Sequence, residues 1–285
     1  MTILEDIMRI ALEEAKQSLR EGNHGFGAVI FKEHAIIAQA HDKEESIQDP
    51  TSHAELNAIR NASKILGKNL AGCTIVSTHE PCPMCSSAIV WSGIDTVVYG
   101  YSIEESLKQD RKRINLTCAE IFHRAGKDIQ IIPNILFNEC KLLYDKNVRA
   151  EVKKLRGITK EGLIKYNEES MQRRLQWFEE NKASFTGDSI QNAYALLLCR
   201  LNISPNEAPI IHHENTTLIF HSMNFCPTLE ACKILKLDTR FICKWYNEKA
   251  TDALIKRIDP KLKFMRNYEK LRPYSEYCEE MIIKE

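Results

Sequence analysis

The chain has little to anchor it in a membrane. Its longest apolar run, "AYALLLC" at 193–199, falls far short of the length a spanning helix needs. The opening "MTILEDIMRIALEEAKQSLREG" carries acids inside its apolar pattern, so it does not read as a secretory leader. Net charge is also missing. Lysine plus arginine and aspartate plus glutamate each number 39, which leaves no global field to gather polyanions. There is no internal repeat, no low-complexity tract and no second C-x-x-C, so a four-cysteine structural metal site is disfavoured.

What is present is an ordinary globular composition, 44% hydrophobic and 27% charged over 285 residues. That length is more than one small core needs, and two domains are expected. A cytoplasmic setting is expected, with ten reduced cysteines. Any close cysteine pair is then a metal or catalytic candidate before it is a disulfide.

Residues 3–20 place Ile3, Ile7, Ile10, Ala11 and Ala15 at helical spacing, closed by Gly22. "FGAVIF" (26–31) and "AIIAQA" (35–40) read as a hairpin around "KEH". A helix is predicted over 52–66 with Leu56, Ile59, Ala62 and Leu66 on its apolar face. Then come a strand at 73–78, a helix at 83–92 stopped by Gly93 and a strand at 96–101. Helical segments near 103–124, a strand "IQIIP" and a helix near 135–155 complete an alternating α/β pattern, a sheet covered by helices. The glycines of "LRGITKEG" (155–162) mark a boundary. The predicted domains are 1–155 and 160–285, the second an α+β unit with β runs such as "TTLIFHS".

Two stretches carry chemistry. In "THEPCPMCSSAIVWSG" (78–93), Cys82 and Cys85 open a helix whose Pro83 suits the first turn. Free N–H groups there favour thiolates, the form that binds zinc. In "DPTSHAELNAIR" (49–60), His53 offers a third ligand, and three protein ligands leave zinc an open position. Glu55 has two readings: a non-ligating acid/base, or the far end of a capping box with Ser52. H-x-E on one helix start and P-C-x-x-C on the next form the zinc-deaminase signature.

With "GFGAVIF", these stretches resemble the cytidine-deaminase-like superfamily, closest to guanine deaminases and the free-base and tRNA-adenosine deaminases, over about residues 1–150. The resemblance implies a three-layer α/β/α fold with a mixed central sheet. It implies His53, Cys82 and Cys85 as Zn2+ ligands and Glu55 as proton shuttle, with backbone N–H groups near Ala54 and Cys82 holding the site. It also places Phe26 and Trp91 near the base. Where those relatives have an asparagine eleven residues before the histidine, this chain has Asp42, which only accepts hydrogen bonds. His41 and Lys43 flank it, and a one-residue shift would change which side chain points inward.

The expected activity is hydrolytic deamination of an aminated purine- or pyrimidine-like base. The alternatives are a tRNA adenosine deaminase and a non-catalytic ligand-binding regulator. A small heterocycle is the expected partner, rather than nucleic acid or a membrane, and a homodimer is the expected assembly. The one basic cluster near the predicted site, "KQDRKR" at 108–113, reads equally as a solvated helix face. In the second domain, Cys226, Cys232, Cys243 and Cys278 read as small buried apolar groups.

Overall fold

The computed structural model describes residues 2–109, 113–182 and 188–285. Asp110, Arg111 and Lys112 of the basic cluster lie outside the described residues. The chain divides into two compact units, Met1–Lys153 and Lys154–Glu285.

The first unit is built on five strands: β1 (Gly27–Lys32), β2 (Ala35–His41), β3 (Cys73–His79), β4 (Thr96–Tyr101) and β5 (Gln130–Ile132). Their order is β2-β1-β3-β4-β5. β1 runs antiparallel to β2 and β3, whereas β3, β4 and β5 run parallel, so the sheet is mixed. Helix α1 (Ile3–Glu21) starts at a Thr2–Glu5 capping box and ends at Gly22, φ 97°, a left-handed position that glycine tolerates without strain. It packs on one face of the sheet together with α7 (Phe137–Tyr144), and α8 (Lys146–Leu155) follows. A side chain at Gly27 would meet the Ala11 carbonyl oxygen at 2.0 Å, so glycine there is what lets α1 lie directly on β1.

The opposite face carries α3 (Ala54–Leu66), α4 (Pro83–Ser92) and α6 (Cys118–Arg124), which makes three layers. The buried row of α3 is Ala54, Glu55, Ala58 and Ala62. The expected apolar face was therefore rotated: Leu56 and Ile59 are half-buried flanks and Leu66 is exposed. Small side chains at i, i+4 and i+8 bring the helix axis close to the sheet, and the same rotation turns Glu55 inward. The short helices α2 (Glu44–Ile47) and α5 (Ile103–Lys108) lie in the connections after β2 and β4.

Strand pairing places His41 opposite Gly27, Ser77 opposite Ala28 and Tyr101 opposite His79, so the exits of β2, β3 and β4 share one end of the sheet. The chain enters α3, α4 and α5 from that end. In sheets of this kind, ligands bind beyond the carboxyl ends of the strands.

The second unit contains α9 (Lys160–Asn181), α10 (Ser189–Leu201), α11 (Pro227–Leu235), α12 (Thr239–Cys243) and α13 (Lys249–Ile255). It also has an antiparallel sheet, β6 (Ile210–Glu214), β7 (Thr217–Ser222), β9 (Cys278–Lys284) and β8 (Leu262–Arg266), in that spatial order. Leu196, Leu197, Phe220, Leu254, Phe264 and Ile282 form its core. A π-turn, Lys244–Glu248, joins α12 to α13. No described helix is long and apolar enough to cross a membrane.

Candidate active site

His53 is the N-cap of α3 and Cys82 the N-cap of α4, both with extended backbone and neither using its side chain as a cap. The two helix starts therefore aim their first turns at one point. His53 Nδ1 lies 3.6 Å from Cys82 Sγ and 3.6 Å from Cys85 Sγ. A tetrahedral zinc with bonds of about 2.3 Å to sulfur and 2.0–2.1 Å to nitrogen requires an S···N edge of about 3.6 Å. The three side chains fit that metal.

The thiols and the imidazole are strongly coupled. Cys82 is pulled down to about 4, mainly by the hydrogen bond from Cys85 and, against burial, by His53. Cys85 is pushed well up by Cys82 and by its own burial. Burial opposes charge on His53, but the Cys82 thiolate and the Glu55 carboxylate outweigh it and hold the imidazole up at about 9. A donor set that holds negative charge beside a histidine is the electrostatic complement of a divalent cation.

Glu55 is 4% exposed. Ser77 Oγ donates to its Oε1 at 3.0 Å, and Cys85 Sγ lies 3.5 Å from Oε2. Burial and the nearby Cys82 raise its carboxyl above the ordinary range. The capping box with Ser52 does not form: the Ser52 hydroxyl bonds Asn57, whose amide also donates to the carbonyls of His41 and Ser52. Glu55 faces the cysteines instead of its own helix start.

A cavity of about 200 Å3 opens onto this cluster, lined by Phe26, Glu44, His53, Glu55 and His79 among others. Phe26 stacks on Tyr144 at 5.4 Å between centroids and meets the His79 ring edge-on at 5.5 Å. The Arg113 guanidinium sits 5.1 Å over the Phe26 ring. Ala54 is fully buried as the first residue of α3.

Asp42 is fully buried and is not itself among the residues that line the cavity. Its Oδ1 accepts the His24 N–H at 3.0 Å, while Oδ2 has no partner among the described residues. Oxygens of Asp42 and Glu44 and a ring nitrogen of His53 lie within 4.8 Å of one another. His41 points the other way, held by Glu14 at 2.6 Å and Glu21 at 3.0 Å, and Lys43 lines a separate groove. Trp91 corrects the sequence expectation: it is 88% exposed on α4 and does not line the cavity. It lies six residues past Cys85, in the last turn of α4, on a face turned away from the site.

Sequence reasoning missed His79, Glu80, His24 and Glu44. The signal was the buried dipeptide just before the cysteine motif, "THEPC". His79 bonds the Glu80 carbonyl and the Ser106 hydroxyl. Glu80, 4% exposed, accepts the Ile103 N–H at 2.9 Å and the Cys118 N–H at 3.0 Å. One carboxylate thus ties the starts of α5 and α6 to the cysteine loop, where helix ends favour negative charge. Glu80→Ala is expected to cost about 3 kcal/mol, since it strands two buried amides, and Glu80→Gln to restore part of that. Urea unfolding of the three proteins checks this; a wild-type midpoint for Glu80→Ala would show that the tie holds nothing.

The profile of the "Cytidine and deoxycytidylate deaminase zinc-binding region" matches residues 1–101. A tRNA-specific adenosine deaminase of Bacillus subtilis (strain 168) is 36% identical over 141 residues, 49% of this chain and 85% of that protein. A tRNA-specific adenosine deaminase of Aquifex aeolicus (strain VF5) is 45% identical over 96 residues, 33% of this chain and 64% of the relative. The guanine deaminase of Bacillus subtilis is 42% identical over 97 residues, 33% of this chain and 62% of that enzyme. The chain therefore spans a little under two thirds of two of these relatives. Residues 1–153 supply both the matched region and the clustered His53, Cys82 and Cys85, and the chain belongs to the zinc-binding cytidine and deoxycytidylate deaminase family.

Proposed function

We propose that this protein is a zinc-dependent hydrolytic deaminase of an aminated purine- or pyrimidine-like base. The carrying observation is that His53 Nδ1 stands one tetrahedral edge from each cysteine sulfur, with Glu55 buried beside Cys85. His53, Cys82 and Cys85 would hold the zinc, which when bound acidifies water at neutral pH. Glu55 takes a proton from the attacking water and delivers it first to a ring nitrogen, then to the departing amine. A C–O bond forms at the amine-bearing carbon, the C–N bond breaks, and ammonia leaves. Ser77 fixes one carboxylate oxygen through the shuttle, and Phe26 with His79 gives the planar ring an aromatic wall.

The cavity volume suits one planar ring system. Asp42 does not itself line the cavity; bonded to the lining residue His24, it is assigned the edge that the ring presents. With Oδ1 occupied by the His24 amide, Oδ2 is left to accept an N–H or exocyclic amine. Such a charge-assisted bond contributes about 1.5–3 kcal/mol, so Asp42→Asn should lower kcat/KM for the native substrate by roughly ten- to a hundredfold and raise activity toward guanine relative to it. Ammonia release over guanine, cytosine, adenine, other aminated heterocycles and an adenosine-bearing tRNA anticodon stem-loop tests both claims. Turnover confined to the RNA transfers the site to tRNA editing, as the names of the Bacillus and Aquifex relatives suggest. No ammonia from any of them leaves a ligand-binding regulator. An unchanged ranking after Asp42→Asn takes Asp42 out of substrate recognition.

We also propose a homodimer. Trp91 is 88% exposed and Ile65 65% exposed, large apolar groups left in water. The segment that follows α3 is tied to the end of α4 by the Leu70 N–H, which donates to the Ser92 carbonyl at 2.7 Å. Trp91→Glu should sediment as a monomer. A wild-type chain that already sediments as one refutes the assembly.

A further inference from the structure

The zero net charge of the whole chain hides two opposed halves. Residues 154–285 carry 21 lysines and arginines against 18 acids, and residues 1–153 carry 18 against 21. Part of the basic excess is gathered around a groove of about 510 Å3 in the second unit, larger than the cavity at the cysteine cluster. Ile164, Trp245 and Phe264 give it apolar walls; Lys244, Lys249, Lys256 and Lys263 stand along it.

The charges are not evenly spent. The two acids that line the groove are committed: Glu248 accepts from the Tyr268 hydroxyl, and Asp252 accepts the Phe264 N–H at 2.9 Å and pairs with Lys256 at 2.7 Å. Lys263 reaches Glu285 at 3.2 Å. Lys244 and Lys249 have no carboxylate within ion-pair distance among the described residues. A further ammonium, Lys160, sits 3.8 Å over the Trp245 ring. One lysine thus covers the Trp245 indole, and Lys244 and Lys249 line the same groove without an ion-pair partner among the described residues.

The backbone beneath them is specially built. The π-turn Lys244–Glu248 interrupts the regular helical bonding, and Asn167 repairs it. Asn167 is 4% exposed; its Nδ2 donates to the Trp245 carbonyl at 3.0 Å and its Oδ1 accepts the Ala250 N–H at 2.9 Å. A buried amide from α9 therefore fixes the turn that carries Lys244 and Trp245 and the start of α13 at Lys249. A solvated lysine face needs no such clamp, no aromatic wall and no cavity.

We propose that this groove binds an organic phosphate of the nucleotide class, free or within a strand, with the phosphates on Lys244, Lys249 and Lys160 and the flat organic part against Ile164, Trp245 and Phe264. Lysine suits phosphate as a mobile point charge, and an aromatic wall accepts any base. The site is independent of the deaminase chemistry.

The full chain is titrated calorimetrically with a nucleoside triphosphate, inorganic triphosphate and a short single-stranded oligonucleotide, while tryptophan emission is followed. The nucleotide or the oligonucleotide should bind more tightly than inorganic triphosphate and change the emission, and Trp245→Phe should abolish that change. Lys244→Gln with Lys249→Gln should weaken binding about tenfold and lower the salt slope for the oligonucleotide by roughly 1.4, the loss of two phosphate contacts. Zinc content and ammonia release should stay at wild-type levels in the same variant. Tighter binding of the strand identifies a nucleic-acid backbone, and tighter binding of the nucleotide a free ligand. Equal affinity for inorganic triphosphate, or an unchanged affinity in the double variant, overturns the proposal.

Discussion

Glu55→Gln should leave the protein folded and loaded with zinc and slow turnover by roughly two to four orders of magnitude, the usual contribution of a positioned acid/base. The geometry supports this size. Gln keeps the length and the oxygen that accepts from Ser77 Oγ, now 3.0 Å from Oε1, so packing between α3 and β3 survives. What vanishes is an oxygen able to take up and return a proton, 3.5 Å from Cys85 Sγ at the cavity wall. Because Ser52 is engaged with Asn57, the substitution removes no helix cap. The test needs metal content, thermal unfolding and kcat on one preparation, with the best substrate from the ammonia panel. A variant that melts early yet keeps wild-type turnover per folded molecule would make Glu55 a structural residue.

The clustering of His53, Cys82 and Cys85 with Glu55 was legible because chemistry fixes both residue type and spacing. His53 and Glu55, two apart, straddle a helix start, and Cys82 and Cys85 span one first turn. Neither arrangement depends on distant sequence. The α/β alternation was legible for a similar reason: β3 and β4 are short runs rich in β-branched and aromatic residues, bounded by Gly72 and Gly93, and they are buried almost throughout. The burial of α3 was not. Periodicity favoured the large residues Leu56, Ile59 and Leu66, but close approach to the sheet selected the alanines. Glu80 was missed because its partners, Ile103 and Cys118, are 23 and 38 residues away. Trp91 was misplaced because a family correspondence says nothing about which way the last turn of a helix faces. The basic groove draws on α9, the π-turn, α13 and β8, and no local run of the sequence contains it.

Replacing Cys82 and Cys85 together by alanine should remove zinc and all measurable deamination. The expectation rests on ligand count. Zinc sites in enzymes use three protein donors and keep one position open, and a lone His53 is a weak monodentate ligand. Asp42 and Glu44 also lie within 4.8 Å of His53, so they are the one alternative donor set among the described residues that includes it. That set is oxygen-rich and suits harder cations than zinc. Elemental analysis of wild-type and double-alanine protein, purified side by side without added metal, decides between the two. One zinc per chain in the wild type and none in the variant assigns the metal to the cysteines. Zinc retained in the double variant places it on Asp42, Glu44 and His53, and the proposed arrangement of Glu55 beside the metal falls with it. Circular dichroism guards the comparison. Cys85 is fully buried and Cys82 caps α4, so truncation also disturbs packing there. Cys82→Ser with Cys85→Ser preserves the shape and the hydrogen-bonding reach while exchanging thiolate for hydroxyl. This pair should fold, lose zinc and lose ammonia release together. If serine keeps the fold and the zinc, thiolate donation is not what holds the metal.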